Sequence, residues 1–288
     1  MKYIFLLNTF SIGKKTNNII NGIECICKKR SIDYKIEINS NEKTIEEILK
    51  KYENEKNIIF AVGGDGTINR VLNGIINTKN VLGYIPLGTG NDFYKSNKEL
   101  FKNKINEIDL VKINKKYFIN SACFGIDADI GKESIVHSKL IPKSKRYSLP
   151  AIKNIIKYKG KKLIIKIADK EYSGIYTTVA VANGRYYGGG FKVAPSALLD
   201  DGLLDVYIAN KMSRYKMIKM FKKLKKGNHE DDKSITKMTI KELKIESPEE
   251  ISCLIDGEVL SDKKFVIKVI PKGIKIFYDA ELIKELSE

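Results

Sequence analysis

Two short stretches of this 288-residue chain set acidic side chains among glycines directly after apolar runs. The first is IIFAVGGDGTINRVLNG, residues 58–74, and the second is PLGTGNDF, residues 86–93. Gly63, Gly64 and Gly66 allow positive φ and let the backbone approach a bulky anion, and a helix expected to begin near Thr67 offers free N–H groups to phosphate. Asp65 alone would repel that phosphate. Its place makes chemical sense if Mg2+, with water in its shell, stands between carboxylate and phosphates. A turn with Asp65 as helix N-cap is the alternative. In the second stretch Gly88 and Gly90 flank Thr89, whose hydroxyl can bond a phosphate oxygen, while Asn91 and Asp92 add more polar groups than a structural loop needs. Two such loops at consecutive strand ends imply a shared pocket. Neither fits a dinucleotide or P-loop fingerprint, so a different nucleotide fold is required. Two histidines and four scattered cysteines supply neither a disulfide framework nor a zinc site.

The elements that must position these loops follow from periodicity. Up to about residue 115, strand-like runs (KYIFLLN, YKIEI, NIIFAV, VLGYIPL) alternate with helix-like ones, such as Ile19, Ile20, Ile23, Ile26 and Cys27 or Val71, Leu72, Ile75 and Ile76. Such alternation implies a parallel sheet covered by helices, with ligands beyond the carboxyl ends of the strands. After it strands dominate (YFINSACFG, KKLIIKIA, EYSGIYTTVAVAN, LLDVYIA, TIKELKIES, ISCLID, KKFVIKVI, GIKIFY), which predicts an antiparallel sheet or sandwich. Two helical stretches, about 145–158 and 213–225, interrupt it. The expected organisation is α/β plus β: a Rossmann-like α/β domain over 1–115 and a larger β-rich domain over 116–277, with the helical tail 278–288 returning to the first.

GGDGTINRVLNGI followed by PLGTGNDF resembles the catalytic domain of the diacylglycerol kinase-like lipid kinases. VANGRYYGGGFKVAPSALLDDGLLDV and CLIDGE are similar to the family's later motifs and stand in the same order. The resemblance implies an active site in a cleft between the two domains that binds ATP and Mg2+ and transfers the γ-phosphate to a lipid hydroxyl, with diacylglycerol the first acceptor. By motif position, Gly63, Gly64, Asp65, Gly66 and Thr67 would handle the phosphates, with Gly88, Thr89, Asn91 and Asp92 beside them. Asp65, Asp92 and Asp109 match acidic positions tied to a water and Mg2+ network, and Asp65 and Glu258 would carry catalysis, Glu258 as general base. In SALLDDGLLDV the Asp201 carboxylate with the carbonyls of Leu198 and Leu203 would suit a hard cation. The family likeness makes that a structural Mg2+ site, against a plain Asp-Gly turn. The first loop, NTFSIGKK, keeps Asn8, Ser11 and Lys14 as nucleotide contacts but has Thr9 where the family has proline, and Arg70 stands where the helix usually carries Glu. A soluble-substrate kinase of the NAD kinase and phosphofructokinase superfamily, or a non-catalytic lipid or nucleotide binder, are the alternatives.

The formal net charge of +17 is mostly lysine and spread along the chain. It reads either as a composition bias or as attraction to a polyanion. MSRYKMIKMFKKLKKG, residues 212–227, places apolar residues in helical register between lysines, the pattern of a helix lying on an anionic membrane or packing on its own domain. LIPKSKRYSLPAIKNIIKYKGKK is a second candidate for that contact. No apolar run approaches the ~18 residues needed to span a bilayer. The expectation is a cytoplasmic protein peripherally associated with membrane, meeting its lipid substrate at the surface, without nucleic acid as a partner. The oligomeric state stays open, a homodimer included.

Overall fold

The computed structural model describes residues 1–40, 44–88, 90–97, 104–136 and 148–287. The chain forms two compact units, Met1–Ile108 with Lys272–Glu288, and Asp109–Pro271.

In the first unit the chain runs β1 (Tyr3–Asn8), α1 (Thr9–Ile12), α2 (Thr16–Lys29), β2 (Tyr34–Asn39), α3 (Ile45–Leu49), β3 (Ile58–Gly63), α4 (Asp65–Ile75), β4 (Val81–Pro86) and α5 (Asp92–Asn97). The four strands are parallel, in the order β2-β1-β3-β4. Every residue of β3 and β4 is buried, as a parallel sheet covered on both faces requires. Phe5, Leu7, Phe60 and Val62 pack with Ile19, Ile23, Ile26 and Cys27 of α2, and Phe5 stacks on Phe60 at 4.7 Å. α4 lies against β3, β4 and α3. Thr44 and Glu47 close a capping box on α3, satisfying amides that the helix end would otherwise leave unpaired. α4 begins at Asp65, two residues before the Thr67 start expected from sequence. Gly63, Gly64 and Gly66 are not in the positive-φ region, and at Gly63 and Gly64 the reason for glycine is space.

The second unit takes in the end of β5 (Ile105–Ile113), then β6 (Lys116–Phe118), β7 (Ser121–Gly125), α6 (Ile126–Val136), α7 (Ser148–Lys157), β8 (Lys161–Ile167), β9 (Lys170–Ala182), β10 (Leu204–Asn210), α8 (Arg214–Lys226), β11 (Ile235–Ile240), β12 (Glu242–Ile255) and most of β13 (Glu258–Phe277). Its strands pair antiparallel in the order β11-β10-β9-β7-β12-β13, with β8 joining β9 and β12. Phe118, Phe124, Phe265 and Ile245 lie in its core. The runs TIKELKIES and ISCLID do not stand as two strands: the chain breaks at Lys241 and then continues unbroken through β12. α6 is absent from the sequence reading because Ile126, Ala128 and Ile130 alternate with Asp127 and Asp129, a period-2 signature. Burial around much of the helix removes the polar stripe that would have marked it.

The chain then re-enters the first unit. Ile276 and Phe277 pair parallel with Leu82 and Gly83 of β4. The closing helix α9 (Ala280–Ser287) buries Leu282, Ile283 and Leu286 in the α2 core. Arg30, at the end of α2, reaches Asp279 at 3.3 Å and Glu285 at 3.0 Å. By packing, the two units divide after Ile108 and after Pro271, a few residues inside the 115 and 277 read from the sequence pattern. The reason is packing: Val111 and Ile113 lie in the second core and Phe277 in the first.

Leu282→Ala tests the structural part of the tail. Leu282 is fully buried, and emptying such a site costs about 2–5 kcal/mol. The urea midpoint should fall accordingly with little change in slope.

Candidate active site

Three neighbouring strand ends of the first unit converge. β1 ends at Asn8, whose side-chain amide donates to Thr67 Oγ1 at 2.9 Å. Its Oδ1 accepts from Phe10 N at 3.2 Å and Asn39 Nδ2 at 3.3 Å. Ser11 donates to the Asn8 carbonyl at 3.1 Å, and a Cβ on Gly63 would sit 3.1 Å from Ser11 Oγ and 2.5 Å from Thr67 Oγ1. Asn8, Ser11 and Thr67 thus hold one another, and Thr67 is buried. Lys14 is exposed in the following turn. The Thr67 and Ile68 amides already donate to the Gly64 carbonyl, at 2.9 and 3.2 Å. Gly66 lies in the first turn of α4, the end of a helix whose amides favour an anion.

The two glycine loops touch backbone to backbone. A Cβ on Gly88 would stand 2.3 Å from Gly64 Cα and 2.8 Å from Asn91 Oδ1. Asn91 is the scaffold of the second loop. Its amide donates to the carbonyls of Pro86 and Gly88, both at 3.0 Å, and its Oδ1 accepts from Gly88 N at 2.9 Å and Tyr84 OH at 3.1 Å. Both donors and both lone pairs are then used. Asn91, expected as a nucleotide contact, instead shapes the loop in a left-handed conformation, φ 51°. Gly90 stands in the same loop, and Thr89 lies outside the described residues.

Asp65 joins the loops. The Phe93 N–H of α5 donates to Asp65 Oδ1 at 3.1 Å, so the carboxylate caps the neighbouring helix rather than its own. Burial raises the Asp65 pKa, while amide donors from Phe93 and Asp92 and the charge of Lys95 pull the other way. Asp92 is buried, with Lys95 Nζ 3.8 Å from its Oδ1. The Arg70 guanidinium grips Glu46 on α3 with a bidentate pair at 3.0 and 2.7 Å.

These loops meet at the carboxyl edge of a parallel sheet, and the chain's matches to known proteins span both units. The diacylglycerol kinase catalytic domain profile matches residues 2–115, and the YegS C-terminal NAD kinase beta sandwich-like domain profile matches 120–278. The chain belongs to the diacylglycerol kinase-like lipid kinase family. A Yersinia enterocolitica protein named "Probable lipid kinase YegS-like" is 33% identical over 248 residues, 78% of this chain and 82% of its own. One of the same name from Pectobacterium atrosepticum is 32% identical, over 75% and 76% of the two chains. A crystal structure of a diacylglycerol kinase from Bacillus anthracis str. Sterne superposes with TM-score 0.70 over 98% of each chain; at 20% identity that likeness concerns the fold. Members of the family are phosphotransferases.

The family's later motifs fall in the second unit around a buried polar hub. Glu258 opens β13, half-buried, just after a turn in which Asp256 and Gly257 take φ 43° and 86°. Asp256 holds that turn in place. Its carboxylate accepts the amides of Ile119 at 2.8 Å, Asn120 at 3.2 Å and Ser121 at 2.8 Å. The D-G turn in CLIDGE was the visible signal, and the long-range amides were not. Asn183 belongs to the same hub, donating to the Ile119 and Asp109 carbonyls at 2.8 and 3.3 Å.

Asp109 belongs to the second unit and is fully buried. Gly202 N donates to its Oδ2 at 2.6 Å, and its own N–H donates to Leu199 O at 2.6 Å. Asp109 is therefore a buried brace for the DDGLL turn. In that turn burial raises the Asp201 pKa, and the charges of Asp109 and Asp200 add to the shift. Leu198 and Leu203 flank it, and Leu203 meets Asp201 through its N–H at 3.0 Å. Among the described residues no group of three or more His, Cys, Asp or Glu could hold a metal by itself. Mutually repelling carboxyls do suit a hard cation whose shell is completed by carbonyls, water or phosphate.

One further feature lay outside the sequence reading. α6, α7 and α8 close over the β9–β10 side of the second sheet around a cavity of about 50 Å3. Met212, Met217, Met220 and Phe221 give it apolar walls, and Asp127, Tyr187 and His229 supply polar groups. Tyr187 OH donates to Asp127 Oδ2 at 2.5 Å, with Thr178 Oγ1 2.7 Å away. Burial raises the Asp127 pKa, and the two hydroxyls oppose it. Burial also lowers the His229 pKa and favours the neutral ring, whose Nε2 lies 2.9 Å from Val193 O.

Gly88→Ala should drive the loops apart, since its Cβ would meet backbone that no rotamer can move. Nucleotide affinity, read by calorimetry, should fall at least about tenfold while unfolding shifts by about 1–3 kcal/mol. Asp127 makes a pH prediction. Its folded pKa exceeds the unfolded one, so between the two the folded state keeps a proton that the unfolded chain has lost, and its contribution to stability declines as pH rises. Asp127→Asn should therefore gain stability relative to the parent from about pH 4 upward, read as urea midpoints across the range.

Proposed function

We propose that this protein is an ATP-dependent lipid kinase that transfers the γ-phosphate to a lipid hydroxyl, with diacylglycerol as acceptor and phosphatidic acid as product. The observation that carries the reading is the junction of the two glycine loops, where Gly64 and Gly88 leave no room for a side chain and Asp65 ties the loops together. The amides at the start of α4 bind phosphate oxygens. Asp65 and Asp92 form a two-carboxylate set of the kind Mg2+ takes when phosphates and water complete its shell. That ion would supply charge neutralisation on the phosphates. Asp201 and its turn would hold a second, structural ion.

Phosphoryl transfer is chiefly positioning and charge stabilisation. Glu258 then has one task, to orient and deprotonate the acceptor hydroxyl, and Asp256 fixes the turn that presents it. The methionine-lined cavity supports an apolar acceptor over a soluble one. At about 50 Å3 it holds one or two water-sized groups, so an acyl chain enters only as the flexible thioethers repack. The Arg70–Glu46 pair weakens the case for a non-catalytic relative, because the reversed charge is taken up by α3.

Transfer of radiolabelled γ-phosphate should be seen with diacylglycerol in mixed micelles and be absent with NAD or without acceptor. Glu258→Gln should lower kcat by about 100-fold or more with ATP affinity kept within about twofold. Transfer to NAD alone would replace the lipid reading, and an equal loss of ATP affinity in Glu258→Gln would make that residue a nucleotide contact.

A further inference from the structure

We propose that the outer face of α8 is a docking surface for an anionic phospholipid bilayer, taking lipid phosphates in a lysine-lined groove while Tyr215 and Ile218 enter the headgroup boundary. The inference deepens the lipid-kinase reading by naming the surface through which the enzyme meets its substrate's membrane.

The two sides of α8 differ sharply. Met217 and Met220 are buried inward, over the cavity. Outward, Tyr215 is 68% and Ile218 49% exposed, one turn apart. Around them stand Arg214, Lys219, Lys222, Lys225 and Lys226, which among the described residues have no carboxylate partner. Arg214–Lys226 contains no acidic residue. A solvated surface helix gains from Glu and Lys at i,i+4, whereas lysines at 219, 222 and 226 repel one another. An external anionic surface would relieve that repulsion.

The groove gives the phosphates a place. It measures about 540 Å3, and Ser213, Tyr215, Lys216, Lys219, Lys223 and Asp232 line it. Asp232 lies 3.1 Å from Lys216 and 3.0 Å from Lys223, and Ser234 donates to it at 2.8 Å. These donors hold its carboxyl well below the usual range. The one acid present therefore anchors two of the three lysines and leaves the groove cationic. Lys219 lies 4.4 Å over the Tyr215 ring, joining a cation to an aromatic, as residues at a bilayer interface do. Nucleic acid would satisfy the lysines but not the exposed Ile218. Ser213 caps α8 at one end, and Gly227, at φ 76°, closes the other. The helix thus stands on its own caps without its lysines.

The test is cosedimentation of the full chain with vesicles of phosphatidylcholine alone or with phosphatidylglycerol. The parent should bind the anionic vesicles, less so as salt rises. A variant carrying Lys219→Gln, Lys222→Gln, Lys225→Gln and Lys226→Gln should bind at least about tenfold more weakly, each lysine near the surface being worth about fivefold. Tyr215→Ser with Ile218→Ser should also weaken binding while keeping the salt dependence. If the quadruple variant does not fold, Lys222→Gln alone carries the same expectation of about fivefold. Turnover of a short-chain diacylglycerol in detergent micelles should be unchanged in every variant, so a failure of the lipid-kinase reading shows there, in the parent. Equal binding of parent and variants to anionic vesicles would overturn the proposal. So would parent binding to neutral vesicles as strong as to anionic ones, or tighter binding to duplex DNA than to either.

Discussion

The carboxylate of Asp65 accepting the Phe93 amide is the contact on which the first unit's site depends. It joins a loop after one strand to the helix after the next, across the line where Gly64 and Gly88 meet without side chains. A carboxylate on a helix N-terminus is favourable because the amides there have no partner within the helix. Burial opposes this by disfavouring the charge, which is why the Asp65 pKa rises despite its donors. A phosphate-bound cation would settle that conflict by adding positive charge where the carboxylate is desolvated. The loop is thus built around a desolvated charge that such a cation would complement.

The second unit solves a similar problem with a different carboxylate. Asp256 receives three consecutive backbone amides at the β6–β7 junction. Asn183 and Asp109 extend that network to β9 and the DDGLL turn. Amides and carbonyls at strand junctions fall outside the ladders and are costly to bury unpaired. A hub of short polar side chains pairs them and fixes the turn from which Glu258 projects. The unit's other side works by looser means: methionines around a small cavity, roofed by a helix with no acidic residue of its own.

Much of this was legible in the sequence. Parallel strands alternating with helices, the two glycine loops, the strand-rich second half and the lysine-rich helix follow from hydrophobic period and composition. What the sequence hid was local. Ile126, Ala128 and Ile130 carry the alternation of a strand, yet they are the buried residues at the start of α6. Gly64 was assigned conformational freedom, yet it lies in an extended conformation and is needed for close approach. Asn91 looked like a ligand because of its company, although its side chain is saturated by its own loop.

Sequence by itself determined the kinds of element, the two regions of different pattern and which residues could do phosphoryl chemistry, because those are properties of neighbours along the chain. Only the tertiary structure decided which partner each polar group takes. Asp65 caps α5 rather than its own helix, Arg70 turns to Glu46, and Asp109 braces a turn more than ninety residues away, with Gly202. A hydrogen bond is directional and short-ranged. Its partner is set by which chain segments packing brings within about 3 Å, and no local pattern of residues carries that information.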